Sequence, residues 1–110
     1  MEEDKISIDE FRRIKLRVGK VISAEEVENS SKLLKLVISF KDEQRQVVAG
    51  IKNHYKPEEL VGKKLIVVFN LKPAKLMGLV SDGMILAASD GEKLSVLTVD
   101  KDIDEGSYIS

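Results

Sequence analysis

The sequence has no cysteine and only one histidine, His54, among its 110 residues. The lack of cysteine excludes disulfides, thiolate zinc sites and cysteine nucleophiles. A single histidine cannot build a multi-histidine metal site, and it leaves little basis for a catalytic triad. We therefore expect a protein that is not an enzyme and that holds no metal or cofactor, and we interpret His54 as an ordinary loop residue.

Long apolar segments are also missing, and no run approaches the roughly 20 residues that a transmembrane helix needs. The first residues, from Met1 to Lys5, are acidic and lack the basic and then apolar order of a signal peptide. Hydrophobic residues make up 43% and charged residues 34% of the sequence, which is typical of a globular chain. These features predict one cytoplasmic domain over residues 1–110 that does not contact a membrane.

The formal net charge is −1, but the charges are unevenly distributed along the chain. Residues 44–81 carry seven basic and two acidic side chains, whereas residues 82–110 carry two basic and seven acidic ones. Attraction to phosphate acts over about 8–10 Å at physiological salt, so a local cationic segment can bind a polyanion on a chain of negative net charge. The alternative is a solvated charged face, and charge alone does not distinguish the two.

Alternating apolar residues predict five short strands, at residues 16–27, 33–40, 44–49, 64–69 and 84–89. Ser7 and Glu10 form a capping-box pattern that predicts a helix over residues 8–14, too short to be stable unless it docks on the body. Pro57, followed by two glutamates, predicts a helical turn between the third and fourth strands. Gly19, inside the first strand, suggests a bulge or a bend at a barrel corner.

This order of elements favours an all-β fold. Short strands separated by glycine-marked bends are typical of a small barrel or sandwich. A helix between the third and fourth strands is what a five-stranded Greek-key barrel of the oligonucleotide/oligosaccharide-binding (OB) type needs. We therefore predict an OB-fold barrel with a short N-terminal helix and a short helix between strands 3 and 4.

The stretch between the fourth and fifth predicted strands, residues 70–84, has the composition of a binding loop. It contains Lys72 and Lys75 and no acid before Asp82. Asn70 and Ser81 offer amide and hydroxyl groups that suit base edges or sugar-phosphate oxygens. The alternative is an ordinary surface loop whose methionines and leucines pack into the end of the barrel. The loop has no aromatic residue, which argues against a generic binder of single strands.

Further cations lie near the starts of the second and third predicted strands. Lys32 and Lys35 flank the second strand, and Arg45 and Gln46 begin the third. Some of these residues should lie near one another on the outer face of the hairpin, which is the face that such barrels use for nucleic acid. Solvated lysines at a strand edge are the alternative.

The strongest signal is a pattern over residues 70–87, Asn-Leu-x-Pro-x-Lys-x-x-Gly-x-x-Ser-x-Gly-Met-x-Leu-Ala. With it, the sequence resembles the tRNA-binding domain at the C-terminus of bacterial and archaeal methionyl-tRNA synthetases. That domain also occurs as free-standing, dimeric, structure-specific tRNA-binding proteins. The other matching segments are Phe11 and residues 16–21, 31–34, 45–51 and 55–63.

The resemblance implies an OB-fold homodimer that binds the outside corner, or elbow, of tRNA and recognises its shape more than its sequence. It places the N-terminal helix and the apolar end, Tyr108 and Ile109, at the dimer interface. Of the methionines, Met84 is predicted to contact tRNA and Met77 to pack. The implied tRNA-contacting residues are Lys32, Lys35, Arg45, Asn70, Lys72, Lys75, Ser81 and Met84.

Because the sequence starts at a methionine and holds only this domain, we expect either a free-standing protein or a separately encoded subunit that partners a methionyl-tRNA synthetase catalytic subunit. A fragment trimmed from a full synthetase is the alternative. Related small dimeric proteins on the same barrel are export-associated chaperones that bind peptides. Their loop lacks the Ser-x-Gly-Met pattern that this sequence has at residues 81–84. Such a chaperone is the alternative function.

Overall fold

The centre of the fold is one long strand, β1 (Leu16–Glu26), which pairs with different neighbours along its length. In the computed structural model the described residues are 4–110, so the start of the acidic N-terminal segment lies outside them. The first half of β1 pairs with β4 (Lys64–Val68) and its second half with β2 (Leu34–Ser39), both antiparallel. Because β1 belongs to two parts of the sheet, the sheet curls around it.

The remaining elements complete the curled sheet, whose strand order is β3-β2-β1-β4-β7 with β10 also on β1. Two further strand pairs, β5–β6 and β8–β9, extend from it. These elements are α1 (Ile8–Phe11), β3 (Gln44–Ala49), α2 (Pro57–Leu60), β5 (Ala74–Leu76), β6 (Leu79–Ser81), β7 (Met84–Ile85), β8 (Ala87–Ser89), β9 (Leu94–Val96) and β10 (Tyr108–Ile109). The two short helices and the mostly antiparallel strands confirm the predicted OB-like barrel.

The barrel closes through single hydrogen bonds between β3 and the segment after β6. The amide of Asp82 donates to the carbonyl of Gln46 at 2.8 Å, and the amide of Val48 donates to the hydroxyl of Ser81 at 3.0 Å. Inside the curl, alternating side chains of β2, β3 and β4 meet in one core. Its fully buried members include Leu34, Leu36, Ile38, Phe40, Val47, Leu65 and Val67.

The N-terminal helix begins as predicted but does not dock on the barrel. Ser7 and Glu10 form the capping box, with both reciprocal hydrogen bonds at 3.1 Å. The helix is only four residues long and has no buried residue. Ile8 is 60% exposed and Phe11 40% exposed. The expectation that the helix docks on the barrel was therefore wrong for the single chain. Its apolar side faces an open groove instead.

The predicted loop at residues 70–84 is largely a β-hairpin, β5–β6, and this is the main difference in fold. Its turn places Met77 at φ 51° and Gly78 at φ 80°. Two consecutive positive φ values give a tight two-residue turn that matches the twist of the strands, and Asn-Gly or Asp-Gly is the usual sequence for it. Methionine is not a usual residue at the first turn position, so the sequence did not predict this turn.

The predicted fifth strand, residues 84–89, is divided at Leu86 into β7 and β8. Leu86 accepts a hydrogen bond from the amide of Leu97 and donates one to the carbonyl of Ile66, each at 3.0 Å. The chain therefore leaves β4 at this residue, and β8 pairs with β9 instead. No helix among residues 4–110 has the length and apolar character needed to cross a membrane.

Gly19 serves close packing and does not mark the irregularity of β1. The register of β1 against β2 shifts between Val21 and Ser23. A Cβ atom at Gly19 would overlap the Cγ2 atom of Ile38 and lie 2.9 Å from Cε1 of Phe40. The missing side chain therefore allows β2 to place two large core groups against β1.

We expect Gly19→Ala to lower the free energy of unfolding by about 1–3 kcal/mol, since overpacking forces core side chains from their positions. Gly50→Ala is the matched control, because nothing lies within 4 Å of a Cβ there, and it should change stability by less than about 0.5 kcal/mol. Urea unfolding of both variants measures the difference. Equal midpoints would show that the barrel relaxes around the added methyl group.

Candidate nucleic-acid interface

The outer side of the β5–β6 hairpin presents cations together with aliphatic groups. Lys75 and Val80 are cross-strand partners, so they share one face of the hairpin. Lys75 is exposed and Val80 is 43% exposed, and Met77 at the tip is 58% exposed. Lys72, just before β5, is exposed too. Neither lysine forms an ion pair within residues 4–110, so both charges face solvent.

Ser81 fastens the base of this hairpin to β3. Its side chain is 3% exposed, and its hydroxyl accepts from the Val48 amide and donates to the carbonyl of Gly83 at 2.9 Å. Gly83 has a φ of 123°, which favours glycine, and a Cβ there would lie only 3.1 Å from the carbonyl oxygen of Val68. The side-chain amide of Gln46 adds a hydrogen bond to the carbonyl of Val80 at 3.0 Å.

Asn70 fastens the start of the same segment to the linker between α1 and β1. Its amide oxygen accepts from the backbone amide of Lys15 at 2.8 Å, and its amide nitrogen donates to the carbonyl of Arg13 at 2.6 Å. The neighbouring amide of Phe69 donates to the carbonyl of Lys15 at 2.7 Å. Asn70 therefore brings two cations that lie more than 50 positions earlier in the sequence next to the hairpin.

Arg45 lies at the end of the barrel, against Phe69. Its guanidinium carbon is 3.4 Å from the centroid of the Phe69 ring, and its Nη1 donates to the Phe69 carbonyl. Its Nε is 2.9 Å from a carboxylate oxygen of Glu43 and 3.7 Å from one of Asp82. Arg45 thus has an aromatic face and two carboxylates as partners, and only 16% of its side chain is exposed.

Arg17 also lies against the Phe69 ring and was not predicted as an important residue. Its guanidinium carbon lies 4.5 Å from the Phe69 centroid and 4.6 Å from that of Tyr108. The side chain is 6% exposed, with Nε donating to the carbonyl of Gly106 at 3.0 Å and Nη2 at 3.3 Å from Asp42. These partners are far apart in sequence, so no local pattern marks Arg17.

Lys35 and Arg45 lie on opposite faces of the β2–β3 hairpin, whereas Lys35 and Gln46 share one face, as the sequence suggested for some of these residues. The register pairs Lys35 with Val48 and Arg45 with Ile38, three positions apart, which puts the two cations on opposite faces. Lys35 is half-buried, and its Nζ is 2.8 Å from a carboxylate oxygen of Glu25. Lys32 is exposed in the loop before β2.

Much of the charge in the cationic middle of the sequence is already paired. Lys52 lies 3.5 Å from Glu26, and Lys64 lies 2.6 Å from Asp102, where its hydrogen bond lowers the pKa of the Asp102 carboxyl. The cations of residues 44–81 that have no ion pair within residues 4–110 are Lys56, Lys63, Lys72 and Lys75. The first two adjoin α2, at the start of β4, whereas the hairpin lysines follow its other end, about 16 Å away along the strand.

The surroundings of the two methionines of this segment differ from those that the sequence suggested. Met77, expected to pack, is the exposed residue at the hairpin tip, so that prediction was wrong. Met84, expected to make contacts, is half-buried on β7 and packs against the core. The reason is the unpredicted hairpin turn, which carries Met77 away from the barrel.

A family model described as "Putative tRNA binding domain" covers residues 16–108. The methionine–tRNA ligase of Thermotoga maritima is 56% identical over 109 residues, which is 99% of this chain and 17% of that protein. The ligase of Methanocaldococcus jannaschii is 58% identical over 107 residues, 96% of this chain and 16% of that protein. This chain thus spans about a sixth of the curated relatives it matches.

Solved structures with the same fold include two kinds of protein. A MetRS-related protein from Pyrococcus horikoshii has a TM-score of 0.93 and 37% identity, covering 98% of this chain and all of that one. The chaperone CsaA from Bacillus anthracis has a TM-score of 0.88 and 27% identity, covering 97% of this chain and all of that one.

We expect Ser81→Ala to lower the free energy of unfolding by about 1–3 kcal/mol, because the buried Val48 amide and Gly83 carbonyl would lose their partner. Ser31→Ala, at an exposed loop position, is the control and should be neutral within about 0.5 kcal/mol. Chemical denaturation measures both. If Ser81→Ala is as stable as the control, the hydroxyl does not hold the hairpin to β3.

Proposed function

We propose that this chain, which belongs to the tRNA-binding domain family, binds folded tRNA at its outer corner and catalyses no reaction. The observation that carries the proposal is the exposed, unpaired cationic side of the β5–β6 hairpin in a chain that matches the family over residues 16–108. The hairpin is fixed at both ends, by Asn70 and by Ser81. A rigid cationic edge suits recognition of an RNA surface by its shape and phosphates.

The eight residues carried over from the family pattern divide into three groups by their surroundings. Lys32, Lys72 and Lys75 are exposed, and we propose that they contact phosphates directly. The polar atoms of Arg45, Asn70 and Ser81 already have protein partners. In our proposal these three hold the surface in place. Lys35 and Met84, which are half-buried, contribute only their outer edges.

We further propose that two copies of the chain pair through a terminal groove, formed by Ile8, Phe11, Ile14, Leu16, Tyr108 and Ile109 with their polar neighbours. Several of these side chains are large, apolar and exposed, including Ile14 at 45%. Contiguous exposed apolar groups usually mark an interaction site. A second copy of the same groove is the occupant that the family resemblance implies.

The relatives indicate the cellular context of this proposal. Since the chain corresponds to about a sixth of methionine–tRNA ligases, we propose that it acts in the cytoplasm, either free-standing or with a methionyl-tRNA synthetase catalytic subunit. The similarity to CsaA favours one alternative function, a chaperone that binds peptides. That function predicts suppression of the aggregation of an unfolded client and no preference for tRNA over duplex RNA.

Replacing both Lys72 and Lys75 by Gln should weaken the binding of many tRNAs alike. It should also reduce the slope of log affinity against log salt by about 1 to 2, because the protein makes fewer phosphate contacts and binding therefore releases fewer counterions from the RNA. Lys56→Gln with Lys63→Gln removes the same charge at the other end of β4 and is the control. Mobility shift of labelled tRNA over a salt series measures the slopes.

Folded tRNA, unfolded tRNA and duplex RNA should be compared in the same assay. Preference for folded tRNA is expected. Equal binding of all three would refute recognition by shape, and an unchanged slope for the Lys72 and Lys75 double variant would refute this choice of contact residues.

In solution we expect the mass of a dimer for the wild-type protein and of a monomer for Phe11→Glu, which buries a charge in the proposed interface. Val61→Glu is the control, since Val61 is also exposed, at 49%, but does not line the groove. Sedimentation equilibrium measures the masses. A monomeric wild type, or a Phe11→Glu variant that stays dimeric, contradicts the proposed interface.

A further inference from the structure

We propose that Arg13 and Lys15, in the linker between α1 and β1, form a second basic arm of the tRNA-binding surface beside the hairpin. This inference rests on the proposed function. It adds two contact residues that lie outside both the cationic middle segment, residues 44–81, and the pattern over residues 70–87. Asn70 is then a positioning residue that joins the two arms.

The first argument is the geometry at Asn70. Its carboxamide makes two hydrogen bonds to the linker backbone, at 2.8 Å to Lys15 and 2.6 Å to Arg13. A carboxamide has a donor and an acceptor on one planar group, so it can hold both backbone groups at once. The Phe69 amide adds a third bond to the same linker. Three hydrogen bonds therefore fix the linker against the start of the hairpin segment.

The second argument is proximity. Lys72 follows Asn70 by two residues, which span at most about 7 Å of extended chain. The linker backbone touches the Asn70 side chain directly. These distances are comparable to the Debye length of about 8–10 Å, so the cations of the linker and the hairpin act as one patch on a nearby phosphate chain. The patch consists of Arg13, Lys15 and Lys72, and Lys75 follows on β5.

The third argument is that the linker charges are available. Arg13 and Lys15 are exposed, and neither has an ion pair within residues 4–110. Their neighbour Arg12, by contrast, lies 3.9 Å from Asp9. The hydrogen bonds to Asn70 use only the backbone of the linker, so they occupy neither charged side chain. Lys15 also lines the terminal groove, whereas Arg13 does not.

The test is the salt dependence of tRNA binding by three variants of the whole chain. Arg13→Gln combined with Lys15→Gln should lower the slope of log affinity against log salt by about 1 to 2. Lys93→Gln combined with Lys101→Gln removes the same charge in the acidic C-terminal segment and should leave the slope unchanged. Arg13→Gln alone should lower it by about 1. Arg13 does not line the terminal groove, so this variant separates RNA contact from any effect on pairing of two copies.

Asn70→Ala tests the positioning role. In that background, the added Arg13→Gln and Lys15→Gln changes should reduce affinity less than they do in the wild type, because the linker is no longer held at the hairpin. A merely structural Asn70 would lower stability without changing this difference. Equal effects in both backgrounds would overturn the positioning role.

The outcomes separate this inference from the proposed function. If the Arg13 and Lys15 variants keep the wild-type slope while the Lys72 and Lys75 double variant loses part of it, the second arm is refuted and tRNA binding by the hairpin stands. If none of these variants changes the slope, both contact surfaces are refuted. If the wild-type protein does not bind tRNA, the proposed function itself fails and the inference fails with it.

Discussion

The buried guanidinium of Arg17 is the interaction on which most of the structure depends. It lies between the rings of Phe69 and Tyr108, and its nitrogens reach the tail at Gly106 and the β2–β3 turn at Asp42. A charge removed from water is costly unless aromatic faces and hydrogen-bond acceptors replace the water. Because those replacements come from three separate segments, the end of β4, the C-terminal tail and the β2–β3 turn, the charge is stabilised only when all three are in place.

A second guanidinium extends this arrangement to the proposed binding surface. Arg45 contacts the same Phe69 ring, so a series of contacts, here called the stack, runs from Arg45 through Phe69 and Arg17 to Tyr108. One end of the stack lies beside the terminal groove and the other at the base of the hairpin. The stack and the two hydrogen bonds between Asn70 and the linker thus connect the groove and the hairpin through rigid contacts. Polar side chains hold the frame, and the lysines that remain unpaired are on its outside.

The sequence predicted what depends on local pattern and missed what depends on distant partners. Alternation of apolar residues located the main strands, and the Ser7–Glu10 spacing located the first helix, because both signals are local. The β5–β6 hairpin escaped, since Met77 at positive φ is not a usual turn residue. The helix was expected to dock because isolated short helices are unstable, but its apolar side faces the groove.

The candidate site was predictable to a similar extent. Composition and spacing pointed to Lys72 and Lys75, and the structure leaves both exposed. The sequence could not tell that Ser81 is buried or that Asn70 is occupied, because their partners lie 33 and 55 positions away. For the same reason nothing in the pattern connected the N-terminal cations with the hairpin.

The pairing of β10 with the start of β1 bears on aggregation. β2 joins β1 only from Lys20 onward, so β10 covers the edge that β2 leaves open at Leu16 and Arg17. An uncovered strand edge beside exposed apolar side chains is a template for strands of other molecules. β10 thus shields the edge of β1 from pairing with strands of other molecules.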